Sequence, residues 1–176
     1  MRPQPLLIAA CAALALSACA KRPSPDAVAG PVAPPRVPEA ASPSAPVTPS
    51  PHSASLQDAL AAQAGDRVYF GFDSYEVSAE ALGTLRAQAG WLARNPQVRV
   101  LIAGNCDERG TREYNLALGA RRANAVRDAL VRFGVSPARL QTISYGKERP
   151  IDAGAGEEAW ARNRNGHTVV LDLGPR

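Results

Sequence analysis

The stretch Val98–Phe133 constrains the fold more than any other part of the chain. It begins with a short apolar run rich in β-branched residues, which predicts a buried strand that Gly104 is expected to end. A polar loop follows at residues 105–110, and Thr111 is placed to cap a helix. The helix is predicted by a stripe of small and apolar residues at helical spacing, namely Leu116, Gly119, Ala120, Ala123, Val126, Leu130 and Phe133.

Three polar residues of this stretch are predicted to surround one small site. Asp107 lies in the loop, and Asn115 and Arg122 lie two helical turns apart, so that both side chains lean towards the same edge. A carboxylate binds an ammonium group, a guanidinium binds a carboxylate through two parallel hydrogen bonds, and an amide serves either. This combination suits a zwitterionic ligand. The alternative is an Asp107–Arg122 ion pair that only holds the loop against the helix.

The segment GNCDERGTREYNLALGARRANAV, which begins at Gly104, resembles the signature of the OmpA-like peptidoglycan-binding domains, in particular those of the Pal lipoproteins. The resemblance covers roughly residues 67–171. It implies a binding domain without enzymatic activity or a cofactor, whose ligand is the meso-diaminopimelate of the peptidoglycan stem peptide. Asp107 would then hold the ligand's ammonium group and Arg122 its carboxylate.

The same resemblance implies further ligand-binding residues and partners. Arg109 either contacts the ligand or braces the loop through Glu113. Phe72 and Asp73 end the first strand, and in the family this pair lines the pocket. The alternative is that the aspartate only caps a turn at the end of the strand. The implied partners are TolB and other Tol proteins of the Tol-Pal system, which maintains the outer membrane and its invagination at division. The alternative is a wall-anchoring lipoprotein that binds no Tol protein. The added site candidates are Asn105, Phe72, Asp73, Arg109 and Leu118.

Two segments depart from the family pattern. Asn105 and Cys106 stand where many relatives have His-Ala, so a titratable ring is lost while a donor and an acceptor are kept. Asn163, Arg164 and Asn165 replace the family's Asn-Arg-Arg, so one guanidinium is lost. Because of these two departures, the resemblance does not assign the family's contacts at these positions to this chain.

The first residues resemble a targeting signal and are not expected to belong to the folded domain. An apolar run at residues 6–16 is too short to span a bilayer, and it leads into Leu-Ser-Ala-Cys, which resembles a lipoprotein signal. We therefore expect a signal peptide at 1–18, lipidation of Cys19 and, because Ala20 follows, anchoring in the outer membrane with the domain facing the periplasm. The alternative is an ordinary secretory signal that is cleaved near Ala20.

Residues 19–55 are rich in proline, alanine and serine, with few apolar groups to offset the entropy of folding. They predict a disordered tether that carries the domain at 56–176, with a short helical segment at 55–64. The domain is predicted to be α+β, with helices packed on a mixed sheet of about four strands in the order βαβαβ-αβ. Val68, Phe70 and Phe72 alternate as a first strand, and Ser78 starts a helix that stops at Asn95. A turn at 136–137, a third strand at 140–145, a helix at 157–163 and a last strand at 167–173 follow.

Other classes of function are not expected. The net charge of +4 decides little, because acids and bases alternate along the helices instead of forming a basic face with stacking aromatics. Cys106 is a candidate nucleophile with His167 as its base, but the pattern favours a half-exposed residue of the last strand for His167, and His52 lies in the linker. One thiol and two histidines that are far apart in sequence do not predict a metal site.

Overall fold

The computed structural model describes residues 51–173. The predicted signal peptide, the lipidation site Cys19 and most of the tether lie outside the described residues. Four helices are formed: α1 (Pro51–Ala64), α2 (Ala79–Arg94), α3 (Arg112–Arg132) and α4 (Glu157–Asn163). Four strands accompany them: β1 (Arg67–Tyr69), β2 (Val98–Asn105), β3 (Leu140–Gly146) and β4 (Asn165–Leu173). A 3-10 turn at Pro137–Arg139 occupies the predicted turn before β3. Helix α1 begins earlier than residue 55 and takes in positions that the prediction gave to the tether.

The strands form one mixed sheet in the order β1-β4-β2-β3. Strands β2 and β3 are parallel, and β4 is antiparallel to both β1 and β2. Strands β1 and β2 therefore point in the same direction although they are not neighbours. Their carboxyl ends lie at the same edge of the sheet, so the chain that leaves β1 comes near the loop that leaves β2. The predicted α+β class and mixed four-stranded sheet are confirmed.

Strand β2 does not end at Gly104, as the sequence suggested, but continues to Asn105. The glycine serves the close approach of α3 instead. A Cβ atom on Gly104 would lie 1.8 Å from the carbonyl oxygen of Gly119, and one on Gly119 would lie 2.8 Å from the carbonyl oxygen of Gly104. Helix and strand thus touch through backbone alone. This contact seats the helix directly on the end of the strand.

The first strand is shorter than predicted and does not reach Phe72. Strand β4 begins at Asn165, which pairs with Tyr69, so no strand is left for the later residues to pair with. The N–H of Phe70 still donates to the carbonyl of Arg164 over 2.9 Å, after which the chain turns away. Phe72 is 64% exposed in that turn.

The core lies between the sheet and the helices. The predicted caps are confirmed, because the Ser78 hydroxyl accepts from the N–H of Ala81 and the Thr111 hydroxyl from that of Tyr114. The α3 stripe is largely confirmed, with Leu116, Ala120 and Phe133 only partly buried. Its fully covered members are Gly119, Ala123, Val126 and Leu130, joined by Leu118 and Ala129.

Within residues 51–173, no helix has both the length and the apolar character needed to cross a membrane.

Candidate functional site

A pocket of about 180 Å³ opens at the edge of the sheet where β1 and β2 end. It is smaller than the roughly 300–1,000 Å³ of sites that enclose drug-sized ligands, so it suits the tip of a larger molecule. Every predicted site residue except Asn105 lines it. The lining consists of Phe72, Asp73, Cys106, Asp107, Arg109, Gly110, Tyr114, Asn115, Leu118 and Arg122.

Asp107 is a buried carboxylate held by two arginines. It accepts from Nη2 of Arg109 at 2.6 Å, from Nε of Arg109 at 3.2 Å and from Nη1 of Arg164 at 3.3 Å. Burial raises the pKa of Asp107, but the hydrogen bonds from the side chain and backbone of Arg109 and from Arg164 together lower it by more. The net pKa lies below the ordinary value, so the group is ionised at neutral pH.

Arg122 is completely buried, and backbone carbonyls bind its guanidinium. Nε donates to Ser74 over 2.8 Å, Nη1 to Asn105 over 2.8 Å and Nη2 to Gly71 over 3.0 Å. The side chain thereby ties helix α3 to the turn after β1 and to the end of β2. An arginine has five N–H donors, so two remain for other groups.

The Asp107–Arg122 ion pair that was weighed as a purely structural alternative is not formed among the described residues. The carboxylate of Asp107 pairs there with Arg109 and Arg164. Arg122 has a bracing role nevertheless, but through carbonyls rather than through a carboxylate. Both groups keep their charge in the pocket wall.

Arg109 lies at the mouth of the pocket with 31% of its side chain exposed. Its guanidinium lies 4.1 Å from the ring centre of Phe72 and 4.1 Å from that of Trp160, as in cation–π pairs. The brace through Glu113, one of the two alternatives for this arginine, is not formed among the described residues. Its ion-pair partners are Asp107 and, at 3.9 Å, Glu157, which comes from the start of α4.

Asn105 and Asn115 hold neighbouring parts of the site in place through their hydrogen bonds. Nδ2 of Asn105 donates to Oδ1 of Asn165 over 3.0 Å, which directs this side chain away from the pocket lining. Asn105 acts on the pocket through its carbonyl, which binds Arg122. Nδ2 of Asn115 donates to the carbonyls of Arg109 at 2.7 Å and of the N-cap residue of α3 at 3.0 Å, so it holds the loop closed.

Asp73 and Tyr114 form a second polar corner of the pocket. Asp73 has a positive φ of 51°, which only glycine, asparagine and aspartate adopt readily. Its carboxylate accepts a hydrogen bond from the hydroxyl of Tyr114, which is half exposed on the first turn of α3. Leu118, one helical turn further along, supplies an apolar wall.

Several residues of the site were not predicted. Tyr114 carried a usable signal, because it lies one helical turn before Leu118 on the same face. Trp160 and Lys147 carried no signal, and Arg164 was marked only by its place in the altered family motif. All three come from later parts of the chain that the topology brings to this edge. Nζ of Lys147 donates to the carbonyls of Glu108 at 3.1 Å and of the loop glycine, Gly110, at 2.8 Å.

The thiol of Cys106 is not an activated nucleophile. Burial raises its pKa above the ordinary value, and Arg122 lowers it only in part. The sulfur donates to the carbonyl of Asn115 at 3.4 Å. His167, the base considered for it, is paired with Asp66 at 3.0 Å instead. The part of the chain that the structure describes holds no group of three His, Cys, Asp or Glu residues that could bind a metal ion.

Comparison with known proteins agrees with this architecture. The OmpA family matches residues 69–164. The chain is 42% identical over 170 residues to the peptidoglycan-associated lipoprotein of Mesorhizobium japonicum, which covers 97% of this chain and 94% of the relative. It is 52% identical over 110 residues to the protein of that name from Rhizobium meliloti, which covers 62% of each. The crystal structure of the peptidoglycan-associated lipoprotein from Burkholderia pseudomallei matches with 48% identity and a TM-score of 0.58, over 60% of this chain and 89% of that one.

The matches differ in extent. The chain spans nearly the full length of the Mesorhizobium relative and about three-fifths of the Rhizobium one. The family match covers more than half of the chain and includes both the β2–α3 segment and α4. The predicted OmpA-like fold is confirmed, and the chain is not an enzyme. The chain belongs to the OmpA family, in which its relatives are peptidoglycan-associated lipoproteins.

Proposed function

We propose that this chain is an outer-membrane lipoprotein that binds peptidoglycan non-covalently through the meso-diaminopimelate of the stem peptide. One observation carries the proposal. A pocket sized for the tip of a ligand contains both an ionised carboxylate, Asp107, and a guanidinium, Arg122, in its lining. Diaminopimelate ends in a free amino-acid centre that presents an ammonium group and a carboxylate together.

The ammonium group binds Asp107, and the carboxylate binds the two N–H donors of Arg122 that the protein's own carbonyls leave over. Each charge-assisted hydrogen bond contributes about 1.5–3 kcal/mol. Because Arg122 is already fixed by three carbonyls, little side-chain freedom is lost on binding. Leu118 and Cys106 pack against the methylene chain of the ligand.

The same chemistry selects against stem peptides that carry lysine in place of diaminopimelate. Lysine ends in an ammonium group alone, so Arg122 would lie against the ligand without a carboxylate. A site built to hydrogen-bond a group rejects the analogue that lacks it, because the buried donors stay unpaired. The preference for diaminopimelate is therefore the signature of this site.

The affinity of one pocket acts together with the membrane anchor. Lipidation of Cys19 fixes the chain to the outer membrane, and the proline-rich tether reaches towards the wall at up to about 3.1 Å per residue. Many anchored copies on one polymer add avidity without new contacts. Cys19→Ser releases the protein from membranes on this account, and acylated, membrane-bound protein in that variant would refute the anchor.

We assign the chain to the Tol-Pal system, with TolB and other Tol proteins as partners in outer-membrane invagination. The support is the name that its relatives share. A wall-anchoring lipoprotein without Tol partners is the alternative. Pull-down of TolB from periplasmic extract separates the two, since only the first retains it.

The site is tested by titrating the full-length Cys19→Ser chain with stem peptides that contain diaminopimelate or lysine. Asp107→Asn removes the counter-charge while nearly preserving shape, so its affinity for the diaminopimelate peptide falls at least about tenfold. Asp152→Asn is the matched control, because Asp152 is paired with Arg162 at 2.6 Å outside the pocket lining. Equal binding of both peptides by the unmodified pocket contradicts the proposal.

A further inference from the structure

The guanidinium of Arg109 is packed against two aromatic rings at the pocket mouth. The rings of Phe72 and Trp160 lie at equal distances of 4.1 Å from its central carbon. Trp160 is itself held, because its Nε1 donates to the carboxylate of Glu108 over 3.0 Å. The plane of this guanidinium is therefore set before any ligand arrives.

One edge of the same guanidinium is also occupied. Nε and Nη2 donate to the two carboxylate oxygens of Asp107, at 3.2 and 2.6 Å. Among residues 51–173, no hydrogen bond starts from Nη1 of Arg109. With 31% of the side chain exposed and its atoms in the pocket lining, the Nη1 edge is the part of this cation that a ligand can reach.

A pocket of about 180 Å³ holds only the tip of a stem peptide, so the neighbouring residue of the ligand lies at the mouth. In a stem peptide that neighbour is a glutamate joined through its side-chain carboxyl, which leaves its α-carboxylate free. An anion at the mouth meets the Nη1 edge of Arg109, whereas the carboxylate at the tip meets Arg122. The two guanidiniums thus face two different carboxylates of one ligand.

We infer that Arg109 binds a second carboxylate of the stem peptide, the α-carboxylate of the side-chain-linked glutamate next to diaminopimelate. The inference rests on the proposed function and names a specificity that the tip pocket alone does not provide. Stem peptides in which this carboxylate is amidated bind more weakly. The domain thereby distinguishes free from amidated peptidoglycan at a position outside the diaminopimelate pocket.

The experiment compares two synthetic stem peptides that both contain diaminopimelate and differ only in a free or amidated glutamate α-carboxylate. Each is titrated into the full-length Cys19→Ser chain. The amidated peptide binds about fivefold to tenfold more weakly, the loss of about one charge-assisted hydrogen bond. In Arg109→Met the two peptides have equal dissociation constants. Arg112→Met removes a nearby exposed arginine, paired with Glu148 outside the lining, and keeps the difference between the peptides.

The peptide comparison on the unaltered pocket needs no variant that folds. Equal binding of the two peptides, with diaminopimelate still preferred over lysine, overturns this inference and leaves the proposed function standing. Persistence of the amide effect in Arg109→Met overturns it as well. Absence of binding by both peptides overturns the proposed function and this inference together.

Discussion

The side chains of Asn105 and Asn165 are hydrogen-bonded to each other, with Nδ2 of Asn105 donating to Oδ1 of Asn165 over 3.0 Å. Both residues are buried, and the same oxygen accepts from Nη1 of Arg67 at 3.2 Å. These asparagines belong to the two segments that depart from the family pattern, so the two departures are neighbours in the fold. The carbonyl of Asn105 binds Arg122, and the pair therefore supports the pocket from behind.

Replacing Asn165 with alanine removes the acceptor of two donors in a site that water does not reach. We expect Asn165→Ala to lower the free energy of unfolding by about 1–3 kcal/mol, measured by urea denaturation. Asn124→Ala on the exposed face of α3 is the control and changes it by less than about 0.5 kcal/mol. Equal effects of the two substitutions would mean that the buried amide pair contributes nothing to stability.

Lys147 fixes the binding loop from the end of β3 by donating to the carbonyls of Glu108 and Gly110. Lys147→Met keeps the length of the side chain and removes the donors. We expect the dissociation constant for the diaminopimelate peptide to rise about threefold to tenfold with little change in melting temperature. Lys147→Arg keeps donors and restores most of the affinity. Unchanged affinity in Lys147→Met would show that the loop needs no such clamp.

The contact of β2 with α3 leaves no room for a side chain at Gly104. We expect Gly104→Ala to destabilise the domain by about 3 kcal/mol or more, because the added carbon would lie 1.8 Å from the carbonyl oxygen of Gly119. Gly83→Ala in α2 is the matched control. Its added carbon meets nothing within 4 Å, so a gain of about 0.5–1 kcal/mol is expected from the lower chain entropy. A tolerated alanine at Gly104 would contradict the backbone contact.

His167 makes the stability of the domain depend on pH. Burial lowers the pKa of His167, and Arg67 lowers it further, while Asp66 opposes them. Because the unfolded chain then binds more protons, this contribution is present above about pH 6.5 and is lost as the pH falls through the folded pKa. The free energy of unfolding of the wild type relative to His167→Gln should decrease between pH 7 and 5. A constant difference would show that this ring does not titrate differently on folding.

Local features were predictable from the sequence. The caps at Ser78 and Thr111 satisfy backbone donors within three residues, and apolar periodicity marks the faces of the helices. The clustering of Asp107 and Arg122 followed from loop and helix geometry alone. The strand order was out of reach, because it depends on which distant segments pair.

The groups that the charged side chains bind could not be predicted from the sequence either. Arg122 binds backbone carbonyls. Because every residue has a carbonyl, the sequence does not indicate which ones this arginine contacts. Gly104 reads as a strand breaker until its contact with Gly119 is known. Arg164 and Trp160 reach the site from α4 and its end, and no spacing relates them to Asp107.

Arg139 provides a matched control for the central residue. Like Arg122, its guanidinium is bound by three carbonyls, those of Val98 at 2.8 Å, Leu92 at 3.1 Å and Asn95 at 2.7 Å. It lies outside the pocket lining. Lysine at either position keeps the charge and loses the planar fork, so both substitutions perturb stability in a comparable way. Only the one at Arg122 is expected to change ligand binding.

The most direct test is a titration of the wild type, Arg122→Lys and Arg139→Lys with stem peptides whose terminal diaminopimelate carboxylate is free or amidated. We expect amidation to weaken binding at least about tenfold in the wild type and in Arg139→Lys. In Arg122→Lys amidation should cost less than in the wild type, because lysine keeps the charge but has already lost the bidentate part of the shared interaction. Fully additive losses in Arg122→Lys would show that this arginine and that carboxylate are not partners.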